Sequence, residues 1–237
     1  MFEIKNLTKK FKTKVLEDIS VNFSEKGVSI IIGVNGSGKT TLLDCMVGIK
    51  RVTSGDLKID GYEKESDEFK SRLFYLPSDF FLPNYMTAKE YLNFVLSRYP
   101  NSDKSGIENF LRLYDLEKEA DKLLESYSFG MKKKIQLIAA ILSHSHYLLA
   151  DEIFSGLDFE TTLISLEIFK ALSKERSLII VSHNKRIIEY FSQNILLMSD
   201  GKLTKFLGNP LELEKEILSM EKIDEKVQFI QKYKFTL

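Results

Sequence analysis

A glycine-rich segment between a short apolar run and a helical segment constrains this chain more than any other feature. Residues 28–32 (VSIII) are mostly β-branched, which predicts a strand buried on both faces, typical of the middle of a parallel sheet. Residues 33–40 (GVNGSGKT) follow, and a helical segment from Lys39 to Val47 ends at Gly48. The segment matches G-x-x-x-x-G-K-[ST] in the strand–loop–helix setting that this motif requires.

This loop is suited to hold a triphosphate. Glycines let successive backbone N–H groups form a nest around phosphate oxygens, and the following helix adds the positive end of its dipole. Lys39 would place a cation on the β- and γ-phosphates, and the Thr40 hydroxyl is suited to bind Mg²⁺. We therefore predict a nucleotide-binding set of Asn35, Gly36, Ser37, Gly38, Lys39, Thr40 and Thr41.

Two adjacent carboxylates end a second apolar segment, residues 147–152 (YLLADE). In open α/β sheets, ligands bind at the carboxyl ends of the strands. Asp151 would orient Mg²⁺ through its water shell, and Glu152 would accept a proton from an attacking water. Side chains alternate along a strand, so Glu152 is predicted to point away from Asp151. The alternative is an acidic helix cap at a solvated strand end.

Composition and charge exclude several other classes of protein. The chain has 237 residues, 43% of them hydrophobic, and its 34 Lys and Arg balance 34 Asp and Glu, which argues against disorder. Its one cysteine excludes a disulfide scaffold within the chain. The first residues (MFEIKNLTKKFK) lack the apolar core of a secretory signal, and no apolar run approaches the roughly 18 residues of a membrane span. The neutral balance argues against a nucleic-acid-binding role, so we expect a globular intracellular protein.

Strand-like and helix-like segments alternate along the chain, which indicates an α/β core. Extended segments near the N-terminus precede the phosphate loop, and a terminal hairpin turns at Asp200 and Gly201. A helix opens at Thr87 with capping-box spacing, and we predict that Tyr91, Leu92, Phe94 and Val95 share one side of it. Further helices are predicted at 107–116, 120–124, 131–142 and 159–173, and further strands at 73–76, 147–150, 178–181, 195–198 and 202–207.

Four more motifs follow the order of a known family. Residues 127–131 (YSFGM) stand where that family has its LSGGQ signature, so Ser128, Phe129, Gly130 and Met131 become signature residues. Residues 155–158 (SGLD) resemble the D-loop, with Asp158 as its acid, His183 matches the switch histidine, and Phe11 stands where an aromatic ring stacks on adenine. Over about residues 2–208 the chain resembles the ATP-binding subunit of an ABC transporter.

This resemblance implies a fold. It is a P-loop NTPase of ABC type: α/β, with a mixed central sheet, an N-terminal antiparallel β portion and a helical subdomain. Residues 1–237 would form a single ABC ATPase domain. Its RecA-like core would comprise about 1–78 and 132–208, its helical lobe about 79–131, and an accessory C-terminal helix about 210–237.

The resemblance also implies a function, that of a Mg-dependent ATPase coupled to transport. Each ATP would lie between the phosphate loop of one subunit and the signature of a second subunit, in a homo- or heterodimer. Glu152 and His183 would be catalytic, with His183 contacting the γ-phosphate. The chain would bind a separate integral membrane permease from the cytoplasmic face of the cell membrane, with export favoured over import and no nucleic-acid partner expected.

Two positions depart from the family's pattern. Phe129 replaces the first glycine of the signature and Met131 replaces its glutamine, whereas Ser128 and Gly130 are retained. Ser78 occupies the position of the Q-loop glutamine. Serine is two carbons shorter, so we expect it to reach Mg²⁺ or the attacking water only through another water. This departure leaves open a regulatory subunit with a weak site, and an ABC-type ATPase acting on nucleic acid or ribosomes is a further alternative.

The remaining features have competing interpretations. Residues 80–86 (FFLPNYM) lie where the family docks its membrane subunit, although they would equally cover the helical lobe. His144 and His146 have metal-like alternation but are predicted to lie in a surface loop. Cys45 is predicted to be a small core residue. Residues 132–134 (KKK) are predicted to be a solvated helix start, with attraction to anionic lipid as the alternative.

Overall fold

The structure is a computed structural model that describes residues 1–79 and 81–208 together with the single positions 213, 229, 230 and 232. The strands are β1 (Phe2–Lys10), β2 (Lys14–Phe23), β3 (Gly27–Gly33), β4 (Ser54–Ile59), β5 (Tyr62–Glu63), β6 (Leu73–Leu76), β7 (Tyr147–Asp151), β8 (Ser177–Val181), β9 (Ile195–Ser199) and β10 (Lys202–Lys205). The α-helices are α1 (Lys39–Met46), α2 (Asp67–Ser71), α3 (Ala88–Leu96), α4 (Ile107–Leu113), α5 (Phe129–Leu142), α6 (Phe159–Leu172) and α7 (Lys185–Tyr190).

Two sheets organise these elements. One has the strand order β2-β1-β4-β5 and is antiparallel. The other has the order β10-β9-β3-β8-β7-β6; it is parallel except where β10 runs antiparallel to β9. The predicted α/β class, with a mixed central sheet and an N-terminal antiparallel portion, is confirmed.

The central strand β3 separates two hydrophobic cores. Ile30 and Ile32 face a core shared with α5 and with the helical region between β6 and α5, whereas Ile31 faces a core shared with α1 and the antiparallel sheet. All three are at most 1% exposed. Burial of one such side chain contributes about 1.5–3 kcal/mol, so a continuous apolar run, rather than an alternating one, is what this position requires.

Helix α3 begins where its capping box predicts. The Thr87 hydroxyl accepts a hydrogen bond from the Glu90 N–H at 3.2 Å, and the Glu90 carboxylate accepts one from the Thr87 N–H at 2.8 Å. The grouping of Phe94 with the buried side is wrong, since its side chain is 49% exposed. Ala88, Leu92 and Leu96, four residues apart, form the buried stripe, and Phe94 lies about 200° around the helix from Leu92.

The predicted helix at 120–124 is also wrong. Helix α4 ends at Leu113, and Asp115 adopts a left-handed conformation with φ of 57°, which stops helical propagation. Leu123 is extended and pairs with Thr87 in an isolated β-bridge. Only 3-10 turns flank this stretch, at Glu117–Glu119 and Leu124–Ser126. Tertiary pairing overrides the local helical pattern here.

Two short helices were not predicted from the sequence. Helix α2 is capped by the Ser66 hydroxyl, which accepts from the Phe69 N–H, and α7 is capped by the Asn184 side chain, which accepts from the Arg186 N–H. The two capping residues are the sequence feature from which the helices could have been predicted. Each helix is six residues or shorter, so hydrophobic periodicity is too brief to reveal it.

The division into lobes stays a prediction. Helix α5 continues through residues 131 and 132, so the expected boundary falls inside a helix. The expected accessory helix at about 210–237 lies, apart from the four single positions, outside the described residues. Among the described residues, every helix is too short or too polar to cross a bilayer.

Candidate functional site

The predicted site residues converge at the carboxyl edge of the large sheet. Strands β3, β8, β7 and β6 are neighbours there, and the phosphate loop, His183, Asp151 and Ser78 follow them or end them. A pocket of about 260 Å³ opens at this edge. It is lined by Val15, Asn35, Gly36, Gly38, Lys39, Thr40, Thr41, Ser78, Asp151, Glu152 and His183.

Two glycines fix the path of the phosphate loop. A side chain at Gly33 would overlap the carbonyl oxygen of Met198 on β9. Gly38 has φ of 109°, a left-handed conformation that disfavours other residues, and caps α1. The Lys39 ammonium lies against the loop, with its Nζ 2.7 Å from the Gly33 carbonyl oxygen and 2.8 Å from that of Val34. The loop therefore keeps the cation beside its own backbone.

The donors of the loop fit a polyphosphate. The Ser37 hydroxyl is buried, with the residue 6% exposed, and its oxygen has no hydrogen-bond partner among the described residues. Burying an unpaired hydroxyl costs about 1–3 kcal/mol. Ser37 is the one predicted nucleotide-binding residue of the loop that does not line the pocket, so Lys39 and the N-terminus of α1 are the groups that face a phosphate there.

The Asp151 carboxylate lies against the end of the phosphate loop, in contact with Thr40, and is suited to bind Mg²⁺. The Thr40 hydroxyl donates to its Oδ2 at 2.7 Å, and Asp151 is 1% exposed. Burial raises the pKa of Asp151, while the hydrogen bonds from Thr40 and Ser78 act in the opposite direction. Mg²⁺ is held through one or two carboxylates plus substrate phosphates, and this oxygen set fits it.

Ser78 contacts the same carboxylate. Its hydroxyl donates to Asp151 Oδ2 at 3.4 Å, the same oxygen that accepts from the Thr40 hydroxyl. In place of the long amide of a glutamine, the chain has at this position a short hydroxyl that contacts the Asp151 carboxylate. Among the described residues no group of three or more His, Cys, Asp or Glu forms a metal cage.

Glu152 and His183 form a close pair at the mouth of the pocket. Their Oε1 and Nδ1 atoms are 2.7 Å apart. Glu152 and Asp151 both line the pocket, but their carboxylates have different partners: Asp151 contacts Thr40 and Ser78, whereas Glu152 contacts His183. Strand β7 ends at Asp151, one residue beyond the predicted strand, and Glu152 has φ of 50°, so strand alternation does not extend to Glu152. Its N–H still donates to the Val181 carbonyl at 3.0 Å, which anchors the turn to β8.

The signature residues lie at the N-terminus of α5. Ser128 caps the helix, its hydroxyl accepting from the Met131 N–H at 3.2 Å, and Phe129 is 57% exposed. Ser128, Phe129, Gly130 and Met131 do not line the phosphate pocket of their own chain. The four signature residues therefore lie outside the pocket that contains Lys39 and Asp151.

Phe11 also lies outside the pocket lining. Its ring is 52% exposed, and the Lys9 ammonium lies 4.6 Å from its centroid. Val15, which sequence reasoning missed, lines the pocket instead. A valine in β2 carries no chemical signature, so its position in the fold was the only way to find it.

Asp158 has a structural role that its motif did not predict. It caps α6, accepting from the Thr161 N–H at 2.7 Å and from the Thr161 hydroxyl at 2.8 Å. These hydrogen bonds lower the pKa of Asp158. Its carboxylate is 3.7 Å from the Lys134 ammonium, so the D-loop and α5 are in contact.

The prediction that residues 132–134 are solvated is wrong for Lys133. It is 2% exposed, and its ammonium donates to the backbone carbonyls of Glu152, Ile153 and Ser155. Helical spacing could have predicted this burial, because Lys133 lies four residues before the buried Leu137 and so shares its side of the helix. A run of three lysines hid that pattern.

Three minor expectations have clear outcomes. Cys45 is fully buried in the core, as predicted, and burial raises the pKa of its thiol. His144 and His146 are exposed in the loop between α5 and β7, so their predicted placement is confirmed. Phe81 and Tyr85 are 82% and 78% exposed, whereas Phe80 lies outside the described residues.

Comparisons with known sequences identify relatives over most of the chain. The sequence model of the family described as ABC transporter matches residues 16–155. The glutamine transport ATP-binding protein GlnQ of Escherichia coli K12 is 30% identical, across 91% of this chain and 94% of its own. The methionine import ATP-binding protein MetN of Clostridium tetani is 31% identical, across 87% of this chain and 69% of its own.

Solved structures share the fold. An ATP-binding subunit of an ABC transporter superposes with a TM-score of 0.83 at 22% identity, across 96% of this chain and 98% of its own. A dimeric ATP-binding cassette described as a post-hydrolysis state bound to ADP and Pi has a TM-score of 0.76 at 22% identity, across 88% of this chain and all (100%) of its own.

Proposed function

The chain belongs to the ABC transporter family as an ATP-binding subunit and is an ATPase, and we propose that it powers a separate membrane permease by hydrolysing ATP between two such subunits. The observation that carries this proposal is the meeting of the phosphate loop, Asp151, Glu152 and His183 in one pocket. We assign nucleotide binding to the loop, metal binding to Thr40 and Asp151, and catalysis to Glu152 and His183.

These residues divide the reaction between them. The loop N–H groups and the Lys39 ammonium would hold the phosphates and stabilise charge on the transferred group. Glu152 would accept the proton of the attacking water, and its contact with His183 at 2.7 Å would hold the carboxylate in place. Mg²⁺ bound at Thr40 and Asp151 would neutralise charge on the phosphate oxygens.

A second subunit would complete the site. The N-terminus of α5 presents an exposed Ser128, and it lies outside the pocket of its own chain. The N-terminus of a helix favours an anion because its first N–H groups and the positive end of its dipole point outward. The anion proposed here is the γ-phosphate bound by the opposing subunit. The dimeric cassette with which this chain shares its fold supports this arrangement. Closure around two nucleotides would exclude water and assemble the reacting groups.

An exposed aromatic surface would receive the permease. Phe81 and Tyr85 follow β6 at one edge of the large sheet and are the most exposed aromatic side chains of that region. Large apolar side chains exposed together favour a protein partner over water. We propose that a cytoplasmic segment of the permease covers them, which would hold the chain at the cytoplasmic face of the membrane.

The direction of transport is not part of this proposal. Sequence resemblance favoured export, yet MetN and other relatives, such as the petrobactin import ATP-binding protein YclP of Bacillus subtilis, carry import in their names. The preference for export therefore has no support from the relatives. Their names do favour transport over action on nucleic acid or ribosomes.

Replacing Phe81 and Tyr85 together with serine tests the permease surface. We expect basal ATPase activity to stay within about twofold and co-purification with the permease from membranes to fall at least about tenfold, because buried aromatic anchors dominate interface energies. Leu207→Ser is the matched control: Leu207 is 86% exposed and follows β10, at the opposite edge of the sheet. Undiminished co-purification of the double variant would refute the docking assignment.

A further inference from the structure

Lys133 is the buried cation of this structure that the proposed reaction does not use. It lies on α5, five residues after the cap Ser128, and is 2% exposed. Its ammonium is 3.3 Å from the Glu152 carbonyl oxygen and 3.4 Å from that of Ile153, and it also bonds to the carbonyl of Ser155. Burying an ammonium is costly unless several acceptors surround it, and here three backbone oxygens do so.

The turn that surrounds this ammonium carries the proposed catalytic base. Glu152 and Gly156 have φ of 50° and 78°, so residues 152–156 begin and end with a left-handed residue. A left-handed conformation at a non-glycine residue is unfavourable and persists only where its surroundings enforce it. The turn also makes its own contact, from the Ser155 N–H to the Glu152 carbonyl at 3.0 Å. Without a cation, its converging carbonyl dipoles would repel one another.

Phe129 closes the other side of the ammonium. Its ring centroid lies 5.0 Å from the Lys133 Nζ, within the range of a cation–π interaction. The same ring lies beside Gly156, where an added Cβ would be 3.3 Å from it. The aromatic side chain that replaces a signature glycine therefore packs on the end of the turn and shields the cation from water.

We propose that Lys133 is a positioning residue for ATP hydrolysis, which holds the 152–156 turn so that Glu152 faces the phosphate pocket. The inference rests on the proposed role of Glu152. Phe129 links the same ammonium to the signature segment, so the start of α5 and the catalytic turn of one chain move as a unit. Lys133 itself touches neither phosphate nor water in this role; it acts through the backbone of Glu152.

Lys133→Met in the full chain tests this role, because methionine is an unbranched apolar side chain only one atom shorter than lysine and lacks the charge and the N–H donors. We expect kcat for ATP to fall at least about tenfold, since small misplacements of a reacting group cost up to about 100-fold. The KM for ATP and the affinity for a fluorescent ATP analogue should stay within about twofold, because the phosphate loop is untouched. Lys132→Met, on the same helix but away from the turn, is the matched control and should behave as wild type.

Two results would overturn the proposal: a Lys133→Met enzyme with kcat within about twofold of wild type, or a folded Lys133→Met enzyme that loses kcat and ATP affinity in parallel. If this variant does not fold, Lys133→Gln, which keeps one donor group, is decisive. It should lower kcat at least about threefold with unchanged KM, and a wild-type kcat would again overturn the inference. Absence of ATPase activity in the wild-type chain would instead refute the proposed function, so the two failures are distinguishable.

Discussion

Glu152→Gln is expected to lower ATP turnover at least about 100-fold while leaving ATP affinity within about twofold, because the amide keeps the shape of the carboxylate but accepts no proton. Asp151 and Thr40 would still hold the metal, since their contact at 2.7 Å does not involve Glu152. Bound ATP would therefore persist, and the variant should accumulate as a dimer. Steady-state phosphate release and light scattering with MgATP would measure the two effects.

Glu175→Gln is the matched control for this variant. Its carboxylate pairs with Lys26 at 2.8 Å on the surface, and the side chain is 77% exposed. Surface ion pairs contribute about 0–1 kcal/mol, so turnover should not change. Rapid turnover by Glu152→Gln, with Glu175→Gln normal, would remove Glu152 from the role of base.

Lys39→Ala is expected to weaken ATP binding about 100-fold and to abolish nucleotide-dependent dimerisation. Hydrogen bonds to charged groups contribute about 1.5–3 kcal/mol each, and the Lys39 ammonium is assigned to two phosphates. At about 1.4 kcal/mol for each tenfold change in affinity, the loss reaches two orders of magnitude or more. Titration with a fluorescent ATP analogue gives the affinity directly.

The control for this second variant is Lys26→Ala, which removes an exposed lysine from the surface pair with Glu175. It should bind ATP as the wild type does. Unchanged affinity in Lys39→Ala would count against the phosphate-loop assignment and with it the whole site. A loss of binding in both variants would point to a general charge effect and contradict the specific role of Lys39.

Much of the site could be predicted because its signals are local in sequence. The loop at 33–40 is recognised by its glycines and lysine, and β3 by three consecutive isoleucines, each at most 1% exposed. The meeting of Thr40 with Asp151, 111 residues apart, follows from strand order alone. Parallel strands bring their carboxyl ends together, so two motifs that each follow a buried strand were expected to be neighbours.

The failures arose where tertiary contacts outweighed local pattern. Lys133 was assigned to solvent because it stands among lysines, yet the carbonyls of a distant turn bury its ammonium. The helix expected at 120–124 gave way to a β-bridge between Leu123 and Thr87. In each case the deciding partner lies at least 19 residues away along the chain, beyond any local window.

The dependence of specific ATPase activity on protein concentration tests the central claim most directly, namely that hydrolysis needs groups from two subunits. The start of α5 lies outside the pocket of its own chain, so under the proposed mechanism a lone molecule would lack the signature residues that complete the site. We expect the activity per molecule to fall in proportion to concentration once the chain is diluted well below its dimerisation constant. Activity per molecule that stays constant at every dilution would contradict the account.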